Sequence, residues 1–157
     1  MSRLCRTIVA ICGLLAAGLS FVATPAHAAA SIVYMVSGVL DNGAGDGVGT
    51  ATAFHCTNLA AAATTVTISI HNSTGAVVAD DTRSVSRKQT DTWVTHGQNV
   101  FAAISLDTGA VFQGYAVISA TNTNITCSAM IMSASSTEPQ GIALHMQRRA
   151  PLPNTQE

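Results

Sequence analysis

The sequence predicts an all-β protein, an antiparallel β-sandwich of about seven to nine strands with one intersheet disulfide. Three observations predict it. Apolar residues alternate with Thr, Ser and Asn at a period of two in one short run after another. Clusters of Gly, Asn and Asp punctuate these runs. No stretch after the first residues sustains the 3.6-residue period of an amphipathic helix.

The chain opens on a leader-type sequence. Arg3 and Arg6 precede an apolar run from Thr7 to Ala23, followed by Pro25 and the small-residue triplet Ala26-His27-Ala28. A basic start, a short apolar stretch and an Ala-x-Ala site form the pattern of a secretory signal peptide, expected to be cut after Ala28. The apolar run falls short of the roughly 20 residues a membrane helix needs, so no membrane span is expected after cleavage. The expected location is secreted or periplasmic. Cys12 follows Ile11, where a lipoprotein signal wants a small residue, so lipidation is not expected. The expected organisation is a signal peptide over residues 1–28, a β-sandwich domain over 29–149 and a frayed tail over 150–157, which holds Pro151 and Pro153.

Within the domain, strands are predicted at Ile32–Leu40, Gly49–Thr57, Thr64–His71, Ala76–Asp80, Thr90–His96, Val100–Leu106, Ala110–Ala120, Ile125–Ala134 and Ile142–Arg148. The clearest is Thr64–His71, where Val66, Ile68 and Ile70 alternate with Thr65, Thr67, Ser69 and His71. Asn72-Ser73-Thr74-Gly75, Asp107-Thr108-Gly109 and the polar run from Thr121 to Asn124 supply turns. Asn58 to Ala63 reads as a turn or a short 3₁₀ piece.

Cys56 and Cys127 are the two cysteines beyond the leader, and an even pair in an exported chain predicts a structural disulfide. Period two puts Thr52, Phe54 and Cys56 on one strand face, with Ala51, Ala53 and His55 on the other. The adjacent histidine and cysteine therefore point apart. Ile125, Cys127, Ala129 and Ile131 likewise share an apolar face. Both cysteines are expected to face the core and to bridge the two sheets.

The run "GTATAFHCTN", the segment "AVISATNTNITCSAM" and the ending "GIALHMQRR…NTQE" resemble short exported bacterial proteins of uncharacterised function. The resemblance spans most of the chain after the leader. It implies a disulfide-linked β-domain and carries no catalytic residue with it. Likeness to immunoglobulin-like domains stops at the architecture: Trp93 lies far beyond Cys56, and Ile125 stands two residues before Cys127 where such domains carry Tyr.

Several chemistries are unsupported by the spacing. Beyond the leader, five basic residues, Arg83, Arg87, Lys88, Arg148 and Arg149, face eight acidic ones, so no basic face for nucleic acid is expected. His55, His71, His96 and His145 lack the spacing after Cys127 that a copper site needs. Were the strands of His55 and His71 neighbours, their rings would sit roughly 17 Å apart at ~3.3 Å per residue. "DNGAGDG", from Asp41 to Gly47, lacks the twelfth-position carboxylate of a calcium loop. Asp80 and Asp81 are adjacent and would point apart on a strand, and no Gly-x-Ser-x-Gly elbow is present. "LPNTQ" departs from a sortase signal at Gln156, with no apolar anchor following.

The expectation is therefore a non-catalytic secreted or cell-envelope structural or interaction domain. No catalytic residue, cofactor or metal ligand is assigned. Its partner would be another protein chain or a second copy, met through β-edges at Ile32–Leu40 and Ile142–Arg148. A small-ligand, copper or calcium binding module is the alternative reading.

Overall fold

The computed structural model describes residues 29–150. The expected signal peptide, residues 1–28, and the "LPNTQ" ending of the expected tail lie outside them. Ten strands build two five-stranded sheets. They are β1 (Ser31–Asp41), β2 (Thr50–Asn58), β3 (Thr64–His71), β4 (Val77–Val85), β5 (Thr90–Val94), β6 (Ile104–Ser105), β7 (Val111–Ala120), β8 (Ile125–Ser133), β9 (Gly141–Ala143) and β10 (Met146–Arg148). The first sheet runs β10-β1-β7-β3-β4 and the second β6-β5-β2-β8-β9. All pairings are antiparallel except β5 with β6.

Alternation decides which side of each strand is dry. Val66, Ile68 and Ile70 of β3, and Ala116, Ile118 and Ala120 of β7, point inward from the first sheet. Phe54, Cys56, Trp93, Ile125 and Ala129 meet them from the second. The all-β sandwich expected from the sequence is thus the fold observed.

The bridge is present but placed differently. Cys56 and Cys127 are joined, yet β2 and β8 are neighbours in one sheet and the two cysteines are direct partners in its register. Their Cα atoms lie 4.2 Å apart, the spacing of opposed residues on adjacent antiparallel strands. The disulfide is therefore within a sheet, not between sheets. Parity correctly turned both cysteines toward the core, but two inward residues can also meet sideways across a strand pair.

Three strand assignments change as well. The predicted Ile142–Arg148 strand breaks between Ala143 and Met146, so β9 pairs with β8 while β10 crosses to pair with β1. That crossing leaves β1 flanked by β10 and β7, so it is not an edge. Most of the predicted Val100–Leu106 strand is instead a strap over the outside of the second sheet, where Val100, Phe101 and Ala103 pack on Ala53, Val94, Met130 and Met132. Finally, β4 continues five residues past Asp80, to Val85.

Asn58 organises the crossover from β2 to β3. Fully buried, its side-chain amide donates to the carbonyls of Ala62 and Val85, and its Oδ1 accepts from the Ala60 N–H and the Thr64 hydroxyl. These bonds send the chain from one sheet to the other, so β2 and β3 are not neighbours and the register argument for His55 and His71 does not apply.

Candidate functional site

Each sheet ends in two edge strands. Three of the four are short: β6 has two residues, β9 and β10 three each. Short edges offer little backbone for pairing. The fourth, β4, has nine residues and no neighbour on its outer side among the described residues.

Three attachments hold this edge in place. Along its inner side it pairs with β3 from Thr64↔Val85 to His71↔Val77, through a register shift next to His71. At its end Val85 is buried and its carbonyl accepts from Asn58. At its centre Asp81 reaches across the sandwich, and its Oδ2 accepts from the indole Nε1 of Trp93 at 2.8 Å and from Arg83 Nε at 2.9 Å. Burial alone would raise the Asp81 pKa and is the largest single influence. The Trp93 and Arg83 hydrogen bonds, the guanidinium charge and the Thr82 N–H together outweigh it and hold the carboxyl below its ordinary range.

Beside the edge lies a face made mostly of hydroxyls. Thr82 of β4 is level with Thr67 of β3 and Ser119 of β7, and the Thr67 and Thr82 hydroxyls are 2.8 Å apart. The adjacent positions pair Ser84 with Thr65 and Asp80 with Ser69. Farther along, His71 stacks on Tyr115 with centroids 4.4 Å apart, while its Nδ1–H donates to the Gly75 carbonyl at 3.0 Å. Gly75 has φ +87°, the left-handed conformation that this turn demands and that glycine alone adopts without strain. Exposed Val77 and Phe112 add apolar area at the same end.

The other histidines are spread over the molecule. His55 lies on the outer face of the second sheet, its Nδ1 2.9 Å from the Thr92 hydroxyl and its ring edge-on to Phe101 at 4.6 Å. Burial under the strap lowers its pKa. His145 is exposed. His96 is buried, with Nδ1 2.7 Å from Asp41 Oδ2 and Nε2 donating to the Val48 carbonyl at 3.0 Å. Asp41 also accepts from the Gly43 N–H and the Thr108 hydroxyl, and Asp46 accepts from the Gly97 N–H. The "DNGAGDG" carboxylates are thus engaged in closing their own loop against residues 96–97. Among the described residues, no three His, Cys, Asp or Glu side chains converge as a metal site would require.

Sequence reasoning missed the residues that matter at the open edge: Asp81, Thr82, Arg83 and Ser84. "DDTRSV" has few apolar residues and reads as a polar turn. The available signal was alternation, since Asp81, Arg83 and Val85 face one way and Thr82 and Ser84 the other.

Comparison with protein-family models, with curated proteins and with solved structures yields no match.

Proposed function

We propose that this chain is an exported, non-catalytic structural or interaction domain that engages another protein chain through β4 and the hydroxyl-rich face beside it. One observation carries the reading: a nine-residue strand ends a sheet with its outer side open. An open edge offers a row of backbone donors and acceptors to an incoming strand, and strand addition is a recurring mode of protein recognition. The neighbouring face is nearly free of charge, so it resists close approach weakly.

Further support comes from how the polar groups are used. Asp41, His96 and Asp81 are each tied into bonds that fix loops or join sheets, which is structural work. The leader-type sequence and the disulfide support export into an oxidising compartment, and so does the resemblance to short exported bacterial proteins.

A photo-crosslinking residue placed at Thr82, compared with one at exposed His145 near the opposite edge, tests the reading on intact producing cells. Protein adducts from position 82 support it. Adducts confined to position 145, or none from either, count against it.

A further inference from the structure

We propose that the occupant of the open edge is a second copy of this chain, with β4 pairing antiparallel to β4 of its twin about a two-fold axis through Thr82. The inference rests on the interaction reading above and names its partner.

The register follows from parity and charge. A two-fold axis perpendicular to the sheet keeps each side chain on its own face, so only residues of the same face can stand opposite one another. The permitted centres near the middle of β4 are therefore single residues. Centring on Asp80 opposes two Asp80 carboxylates, centring on Asp81 opposes two Asp81 carboxylates, and centring on Arg83 opposes two guanidinium groups. Like charges directly opposite are destabilising. Of the four central positions, Asp80 to Arg83, Thr82 is the one that sets no like charges against each other.

It also creates favourable pairs. With Thr82 on the axis, Asp81 of each copy stands opposite Arg83 of the other, Asp80 opposite Ser84, and Ala79 opposite Val85. Asp81 and Arg83 already form an ion pair within one chain at 2.9 Å, half-exposed on the arginine side. Pairing would bring two such ion pairs together as an alternating quartet. The two Thr82 hydroxyls meet on the outer face and extend the Thr82–Thr67–Ser119 row across both molecules.

Charged residues on an edge ordinarily discourage pairing, and β4 carries Asp80, Asp81 and Arg83, but the Thr82-centred register sets Asp81 and Arg83 against each other as opposite charges. Val77–Val85 contains no proline and no lysine, the residues that usually protect an edge. The groove between β4 and the second sheet is lined mostly by small or hydroxyl side chains, among them Ser84, Thr90, Ala102 and Ala103, with Ile104 and Arg83 the bulky exceptions; Arg83 is the side chain that Asp81 of the other copy would meet. The result is a continuous ten-stranded sheet made from two five-stranded ones.

The test exploits a difference in sign. Thr82→Lys sets two lysines against each other on the axis, whereas Ser84→Lys sets each lysine opposite the other copy's Asp80. Both positions are exposed on the same face of the same strand, so the same charge change should act in opposite directions. Sedimentation equilibrium of the oxidised, exported chain is expected to show a reversible dimer. Its Kd should rise up to about fivefold in Thr82→Lys and fall by a similar factor in Ser84→Lys. An equimolar mixture of Thr82→Lys and Thr82→Glu should recover the affinity that each loses alone. Shifts of the same sign, or none, overturn the register. A wild-type chain that stays monomeric at all concentrations overturns self-pairing, and the cell crosslinking above then decides separately whether another protein takes the edge.

Discussion

The indole of Trp93, buried in the second sheet, donates to Asp81 Oδ2 on the last strand of the first sheet at 2.8 Å. The bond crosses the sandwich to the longest of the edge strands, β4. Without it, β4 would be held only by its pairing with β3 and by the buried Val85 at its end. A Trp whose ring fills the core while its N–H satisfies a carboxylate at the rim does both jobs at once.

Trp93→Phe should therefore cost about 1–3 kcal/mol, since a hydrogen bond to a charged group is lost along with some packing. Asp81→Asn should cost less, because the amide oxygen still accepts. The pH dependence has a definite sign. The folded pKa of Asp81 is depressed, so its contribution is present in full above the ordinary carboxylate range and is lost as pH falls through the lower folded value. Urea titrations across acidic pH on wild type and Asp81→Asn check this. A variant that retains the wild-type loss of stability in acid would show that Asp81 does not supply it.

Reduction or Cys56→Ser should destabilise the chain by roughly 2–5 kcal/mol, near the 4 kcal/mol that loop closure gives for the 71-residue separation of Cys56 and Cys127. The bridge also locks β2 to β8 in register at Cys56↔Cys127, so hydrogen exchange should accelerate first along these two strands. His55→Ala, on the opposite strand face, should cost clearly less. Native alkylation that labels both cysteines would contradict the pairing.

What the sequence revealed depended on how sharply local pattern constrained geometry. Val66-Ile68-Ile70 specified β3 to the residue, and the face of each cysteine followed from parity alone. The sheet to which each strand belongs is a different matter. Period two tells inside from outside, not left from right, so Cys56 and Cys127 were both correctly turned inward while their adjacency in one sheet was not visible. The same ambiguity concealed the crossing between Ala143 and Met146 and hence the true edges. Val100–Leu106 misled because its apolar residues serve a strap on the outer face of the second sheet. The candidate site was the least legible part: Asp80 to Val85 is polar because it is an edge, and polarity resembles a turn.

The strap makes His55 acid-sensitive. Its pKa is lowered because Phe101 and its neighbours shield the ring from water. As pH falls below about 6.5 the unfolded chain takes up this proton first, so stability declines from there down to the folded pKa. His55→Gln should remove that part of the decline. Hydrogen exchange at mildly acidic pH should show faster opening at Val100–Ala103 in wild type, with the β1–β7 pairing unaffected. An equal response in both proteins would assign the acid sensitivity elsewhere.

Asp41 and His96 meet at 2.7 Å in the interior although they are 55 positions apart in sequence. Val48 accepts from the far side of the ring, so the imidazole is held between a carboxylate and a carbonyl. Asp41→Ala removes the acceptor facing His96 Nδ1 and the one that takes the Gly43 N–H, while the Thr108 hydroxyl keeps the Thr95 and Gly109 carbonyls. An unsatisfied buried group costs about 1–3 kcal/mol. The expected loss is therefore about 1–3 kcal/mol. Asp41→Asn should cost less, because its amide can still accept from Gly43 and present either a donor or an acceptor to the ring. The damage should begin locally, with exchange protection lost in residues 42–49 and 96–99 before the β2–β8 pair, because Asp46 and Gly47 are bonded to Gly97 in the same junction. Denaturant midpoints with residue-resolved exchange would check both parts. A loss below about 1 kcal/mol, the ordinary scale of an exposed pair, would mean that the junction is hydrated and the loop is held by its backbone alone.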